Sequence, residues 1–411
     1  MLVEKLTFAP EQGASFLEDL PPSPAVFLLR GDGEPYVSKT ANLRRRLERL
    51  LGVPKEQSKR LNLRDRVREI EYTLTGSDFE SQFLIYQLLR ESFPQTYAAR
   101  LRLRPAPLIK LHLENEYPRA SVTTRLGKVA WGQPPSGVGA SEDREPLGVA
   151  KPESASRPNL YFGPFQSRAG AEKFANDALD FFKMRRCVED LHPDPAFPGC
   201  VYSEMKMCLA PCFKGCTDAE YHAEVSRVQD FFSSSGDSLS RELAMQRDRA
   251  STELAFEEAA AVHARMEKLK PVLSQCPEIV RRIDQLDALV VQPSAEAGSV
   301  ALFRFRDATL SGPLIFRIEL REQSRSMESQ IAEIIASFAA PVASAAQRTE
   351  HLAILKRWYY RSTRVGEIFF ADEKGEWPFR RIVRGVGRVA QGEKPQEPAT
   401  FPASPDAPAP P

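Results

Sequence analysis

The sequence predicts an α+β protein built from several units. Three observations predict it. An apolar run at Ala25 to Leu29 breaks at Gly31–Asp32–Gly33 and resumes at Tyr36 and Val37, and Asp-Gly between apolar runs marks a β-hairpin. Stretches with apolar residues at 3–4 spacing, such as Phe79, Phe83, Tyr86, Leu89 and Phe93, alternate with short β-prone runs. A chain of 411 residues that is 42% hydrophobic has enough apolar surface for two or three cores.

The elements follow in order. After the hairpin, Asn42 caps a helix that Gly52 ends. A second helix runs from Ser77 to Phe93, where Pro94 stops it. These make a small α/β/α unit over residues 20–104. Residues 105–236 open with short strands around Pro107 to Leu113 and Ala120 to Thr124. A Pro/Gly/Ser/Glu-rich stretch at 132–157 cannot bury a core and is expected as a flexible insertion. Beyond it come Asn159–Leu160–Tyr161–Phe162, a helix to about Phe182, a cysteine-rich segment and a helix from Asp218 to Phe232. Residues 237–275 read as a helical hairpin. Leu239, Leu243, Ala250 and Leu254 mark one seam; Ala259, Val262, Met266, Leu269 and Leu273 mark the other. Residues 277–390 form a C-terminal α+β unit with a strand at Leu286 to Val291, a hairpin of Val300 to Arg306 and Pro313 to Leu320, helices at Ser329 to Phe338 and Thr349 to Tyr360, and a strand at Glu367 to Ala371. The Pro-rich tail 391–411 is expected to be disordered.

Charge and cysteines narrow the function. Net charge is +1, yet residues 37–70 hold eleven Lys or Arg against four acids, a local excess of +7. This reads as an anion-binding face, with a solvated helical face as the alternative. No run of 18 apolar residues occurs and the N-terminus has no signal-peptide pattern, so a soluble, cytoplasmic protein without membrane contact is expected. There, a disulfide framework is disfavoured. Cys187, Cys200, Cys208 and Cys212 follow C-x12-C-x7-C-x3-C, with Cys216 a fifth thiol and Pro198, Gly199, Pro211 and Gly215 breaking the chain beside them. Four thiolates in such loops suit zinc or an iron–sulfur cluster; unrelated buried cysteines are the alternative. Cys276 stands apart as a structural residue. Arg380, Arg381, Arg384 and Arg388 form a basic patch near the end of the chain.

These features resemble the UvrC family of excinuclease subunits. The hairpin with Tyr36 and Lys39, followed by the helix bearing Arg44, Arg45, Arg46 and Arg49, is similar to a GIY-YIG nuclease unit. Tyr161–Phe162–Gly163–Pro164–Phe165 and the four cysteines match the family's middle segment, where the resemblance implies a 4Fe–4S cluster, with zinc as the alternative. Leu254, Phe256, Ala259 and Ala260 resemble the UVR motif, although His263 and Ala264 stand where Arg-Asp is usual. The resemblance implies DNA as one partner and a UvrB-type helicase subunit as the other, bound through this hairpin.

In a GIY-YIG site a tyrosine activates water, an arginine stabilises charge on the phosphorus and a glutamate holds one divalent metal. The resemblance assigns Tyr36, Lys39 and Arg46 to the catalytic positions, and Arg44, Arg45, Arg49, Lys59 and Arg60 to the DNA backbone. It also exposes departures. Phe27 replaces a tyrosine, Ser38 a glycine, Tyr97 an asparagine and Ile85 the metal-binding glutamate. Around the helix, Glu80 and Glu91 lie about 140° and 120° from Ile85. The expectation is therefore a UvrC-like repair protein with a degenerate nuclease site. The alternatives are an active GIY-YIG endonuclease making one incision, and an iron–sulfur, redox-responsive DNA-binding module. An RNase H-like part and helix–hairpin–helix motifs are not expected in this sequence.

Overall fold

The computed structural model describes residues 2–11, 14–53, 61–127, 129, 158–318, 325–339 and 342–392. The 132–157 stretch, Lys59, Arg60 and the tail beyond residue 392 lie outside them. Within the described residues the protein is α+β, with three antiparallel four-stranded sheets and twelve α-helices.

The first sheet contains β1 (Glu4–Thr7), β2 (Ala25–Gly31), β3 (Tyr36–Thr40) and β4 (Val67–Leu74) in the order β1-β4-β2-β3, which leaves β3 at an edge. Helix α1 (Ala14–Glu18) precedes β2. Helix α2 (Leu43–Leu51) buries Leu43, Leu47, Leu50 and Leu51, at i, i+4, i+7 and i+8, against Phe27, Leu29 and Ile70. Its ends follow the sequence signals: Asn42 Oδ1 accepts from Arg45 N–H at 2.9 Å, and Gly52 N–H donates to Glu48 O at 2.9 Å. The sequence reading missed β1 and β4. In β4, Val67, Ile70 and Tyr72 are buried while Arg68, Glu69 and Glu71 keep contact with solvent. The dense charge of this strand hid its β pattern.

Helix α3 (Asp78–Ser92) closes the other face of this sheet and is buried on two sides. Leu84, Leu88 and Ile85 pack on Val26 and Val37. Phe79 and Phe83 pack edge-on against Phe303 at 5.1 and 6.2 Å, and Tyr86 meets the His351 ring at 5.1 Å. The short α4 (Tyr97–Leu101) follows.

The middle sheet runs β6 (Ala120–Thr123), β5 (Leu108–Leu111), β7 (Leu160–Gly163) and β8 (Arg281–Arg282). Helices α5 (Arg168–Leu179) and α7 (Asp218–Ser233) share its core, and the single-turn α6 (Val201–Glu204) lies in the cysteine segment. The hairpin consists of α8 (Asp237–Thr252) and α9 (Phe256–Leu273). Leu239, Leu243, Leu269 and Val272, near its base, join the same core. Leu254 is not on the seam: it takes φ +58° in the turn between the helices and is 71% exposed.

The third sheet runs β11 (Thr309–Arg317), β10 (Ser299–Arg306), β9 (Ala288–Pro293) and β12 (Glu367–Phe370). Helices α10 (Met327–Ser337) and α12 (Phe379–Ala390) bury Ile331, Ile335, Ile382, Val386 and Val389 on one face. The other face holds α11 (Ala345–Tyr359) and the aromatic side of α3. The hairpin turn falls at Asp307–Ala308, both at positive φ, with Arg306 opposite Thr309. The second strand thus starts at Thr309 rather than Pro313, because two left-handed residues suffice to reverse a twisted pair. Helix α12 was also missed. Arg388 on it pairs with Glu367 at 2.8 and 2.7 Å, so it is not part of the exposed basic patch; Arg380, Arg381 and Arg384 are. No helix among the described residues is long and apolar enough to cross a membrane.

Glu80, in the first turn of α3, is buried. Its Oε2 accepts from Gly76 N–H at 2.8 Å. Burial pushes its carboxyl up to about 7, and the Gly76 bond only partly opposes this. A carboxyl with a raised folded-state pKa favours folding while protonated. Stability is therefore expected to fall between about pH 4.5 and pH 7. Glu80→Gln should flatten this decline in urea melts recorded across that range.

Candidate functional site

The hairpin edge brings part of the expected site together. Strand alternation puts Tyr36, Ser38 and Phe27 on the α2 side and Val37 and Lys39 on the α3 side of β3. On the first side Arg46 Nη2 donates to Tyr36 Oη at 2.7 Å, and the Tyr36 ring lies 6.1 Å from Phe27. Arg46 Nε is buried without a partner among the described residues. On the second side Lys39 Nζ donates to Asp78 Oδ1 at 2.6 Å and Gln82 Oε1 at 3.3 Å. Arg361, just past α11, also pairs with Asp78. Burial would raise the Asp78 carboxyl, but the Lys39 and Arg361 contacts outweigh it and hold it below the ordinary carboxylate value.

Asp78 is a residue the sequence reading missed. It lies seven positions before Ile85, and Gln82 four after Asp78, so all three share one helix face. That i, i+4, i+7 spacing was the available signal; attention to Glu80 and Glu91 overlooked it. At position 85 an isoleucine side chain packs with Val26, Leu84 and Leu88. Tyr97 sits elsewhere: it and Tyr86 donate to the two oxygens of Glu350 on α11, each at 2.9 Å.

Part of the basic run also holds the fold. Arg44 Nε donates to Leu20 O at 2.7 Å, Arg64 Nη1 to Leu51 O at 2.6 Å, Arg66 Nε to Asp32 O at 3.2 Å and Arg68 Nη2 to Asp32 Oδ2 at 3.0 Å. Of the residues assigned to the DNA backbone, Arg45 and Arg49 are exposed on α2. Bonds to carbonyls leave these guanidinium charges in place, and Arg66 and Arg68 remain exposed, Arg68 paired with Asp32.

The cysteine segment is organised by Arg185, the other residue missed. It is 2% exposed and donates to Tyr117 O at 2.9 Å, Glu189 O at 2.8 Å and Cys187 Sγ at 3.4 Å. Its own N–H donates to Tyr221 Oη at 3.1 Å. Ala210 N–H donates to Cys208 Sγ at 3.3 Å. Burial pushes the Cys208 thiol up to about 11, with further rises from Cys187, Cys212 and Cys200. No group of three or more His, Cys, Asp or Glu among the described residues stands at metal-holding geometry. The donor chemistry, four thiols with N–H donors on sulfur, fits a thiolate-bound metal or cluster. Cys216 and Cys276 are free, half-buried thiols, and desolvation pushes the Cys276 thiol up to about 12.

On the hairpin, Leu254 and Phe256 are 71% and 67% exposed, Ala260 is exposed and Ala259 half-buried. With the exposed Met245 they leave apolar surface at the tip.

Comparison with known proteins places these features. Residues 142–231 match the family described as UvrC/Cho excinuclease, middle domain. The chain is similar to the UvrABC system protein C of Carboxydothermus hydrogenoformans, 24% identical over 77% of this chain and 47% of the relative. It is similar also to that of Desulforudis audaxviator, 26% identical over 79% of this chain and 47% of the relative. The protein of the same name from Stenotrophomonas maltophilia is 24% identical over 72% and 43%. The chain spans about half the length of the curated relatives it matches. No solved structure gives a significant match.

Arg185→Met should leave the Tyr117 and Glu189 carbonyls unpaired and cost about 2–4 kcal/mol. The expected readouts are a lower melting temperature and faster proteolysis between residues 187 and 212.

Proposed function

This chain is a relative of the UvrC proteins, and from that premise we propose that it acts in nucleotide excision repair, in the cytoplasm, binding DNA and a UvrB-type partner with a nuclease site that has lost its metal ligand. The observation that carries this reading is the Lys39–Asp78–Arg361 bridge beside Ile85. The resemblance puts a metal-binding glutamate at position 85, and an apolar side chain packs there instead. The carboxylate nearest on that helix face already neutralises two cations. A divalent metal in such a site would supply Lewis-acid activation of a phosphodiester. What this chain retains is the means to hold one: Arg46 and Tyr36 joined at the edge of β3, with Arg45 and Arg49 on the adjoining helix. Phosphate contacts of this kind are sequence-neutral, which suits a protein that meets lesions in any context.

Cys187, Cys200, Cys208 and Cys212 are proposed to hold a 4Fe–4S cluster, or zinc in its place. The apolar hairpin tip at Leu254 and Phe256 is proposed to bury against the partner's helices. The intact Tyr36–Arg46 pair favours, as a second reading, an endonuclease that keeps some activity.

Nicking of damaged duplex DNA with Mg2+ or Mn2+, alone and with UvrB, tests the main reading. No incision is expected from the wild type. Incision by the wild type, abolished by Tyr36→Phe and by Arg46→Ala, establishes the second reading instead. Arg45→Ala with Arg49→Ala should weaken DNA binding and reduce the slope of log affinity against log salt by about 2.

The partner and the cluster have their own readouts. Leu254→Ser with Phe256→Ser should weaken capture of UvrB without lowering the melting temperature, since both side chains are exposed. Anaerobic purification should give the visible absorption of an iron–sulfur cluster; a colourless protein with one zinc assigns zinc.

A further inference from the structure

A cleft of about 720 Å3 opens where the N-terminal unit meets the C-terminal one. Its walls come from α3 and α4 on one side and from β11 and α11 on the other. None of the proposed incision or cluster residues lines it except Tyr97. Its size falls in the range of roughly 300–1,000 Å3 common for small-ligand sites, which favour domain interfaces.

The chemistry of the walls is specific. His351, 6% exposed, lines the cleft between the rings of Phe83 and Tyr86, both edge-on to it at 5.6 and 5.1 Å. Its Nδ1 accepts from Leu310 N–H at 3.1 Å, which leaves the proton on Nε2 in the neutral ring. Burial, with Arg90 and Arg348 nearby, pushes the His351 pKa down to about 4, so the ring is neutral in ordinary buffers. The one hydrogen bond of this ring among the described residues is the one at Nδ1, so the Nε2 proton is left to meet water or a ligand in the cleft. Arg90 lines the same cleft beside the Tyr97 hydroxyl and forms no ion pair among the described residues. Gln87 and the Tyr97 ring complete the lip.

The charges select the ligand. Arg90 and Glu91 are the two charged residues that line it, so the cleft carries no cationic excess to attract a phosphate. Flat rings, an N–H donor, a guanidinium and amide groups instead match a planar, neutral heterocycle with acceptors on its edge. We propose that this cleft receives a single unstacked nucleobase, with Arg90 and His351 Nε2 donating to its edge acceptors and the Tyr97 ring bounding it. Guanine, with O6 and N7 both acceptors, suits the arginine best. The base comes either from a free nucleotide or from a strand whose base has left its stack.

The test uses the whole chain and two substitutions on the exposed side of α3. Arg90→Met removes the guanidinium, and Gln87→Trp fills the lip. The probes are guanosine monophosphate, followed by calorimetry, and a single-stranded oligonucleotide carrying 2-aminopurine, followed by its fluorescence. Either probe is expected to bind the wild type about tenfold more tightly than each variant, with melting temperatures unchanged. A tenfold loss with guanosine monophosphate assigns a free nucleotide as the source; a loss with the oligonucleotide alone assigns a strand base. If both variants bind both probes as the wild type does, the proposal is overturned. Arg45→Ala with Arg49→Ala separates the two readings: loss of oligonucleotide binding there, with none in the cleft variants, leaves the backbone face standing and removes the cleft.

Discussion

The double burial of α3 is the constraint on which the molecule depends. One face packs on the first sheet through Leu84, Leu88 and Ile85; the other inserts Phe79, Phe83 and Tyr86 under the third sheet. Burying an aromatic or leucine side chain contributes about 1.5–3 kcal/mol, so both faces act as strong anchors. Helical geometry then couples the two ends of the chain. Any side chain at 78, 82 or 85 addresses the β3 edge, and any at 79, 83 or 86 addresses the C-terminal unit. The Asp78 bridge to Lys39 and Arg361 and the Glu350 bridge to Tyr86 and Tyr97 are the polar counterparts of the same contact.

The same arrangement keeps the Tyr36–Arg46 pair apart from position 85. Tyr36 and Arg46 belong to the opposite face of the sheet and hold each other whatever occupies α3. Position 85 lies in the apolar layer between α3 and Val26, where an isoleucine adds packing and a carboxylate would need a compensating cation. The cationic groups on that side, Lys39 and Arg361, are already engaged by Asp78.

The cysteine segment follows a different rule. Its backbone has little regular structure, so buried polar groups organise it. Arg185 satisfies two carbonyls and one thiol at once, and Tyr221 donates to Pro118 O at 2.7 Å while accepting from Arg185 N–H. Burial in this frame makes the Cys208 and Cys212 thiols resist ionisation, which binding of a metal would reverse. The hairpin joins the core through Leu239, Leu243, Leu269 and Val272, while Leu254 and Phe256 stay exposed at its tip.

Local chemistry was legible in the sequence. The Asp-Gly hairpin, the Asn42 cap, the stop at Gly52 and the two-helix hairpin all rest on interactions within a few residues, and each was readable from its own segment. The strands β1 and β4, helix α12 and the turn at Asp307–Ala308 were not, because charged residues alternated into a sheet or the period was masked by arginines. Counting charges gives an excess, but only the folded chain decides which guanidinium groups also hold carbonyls and which reach solvent unengaged. Asp78, Arg185 and the interdomain cleft belong to the same class: each depends on residues brought together from distant parts of the chain. The sequence by itself determined the local elements and the list of chemically capable residues. The tertiary structure alone decided which of them meet, because ion pairing and burial are set by neighbours in space rather than by neighbours along the chain.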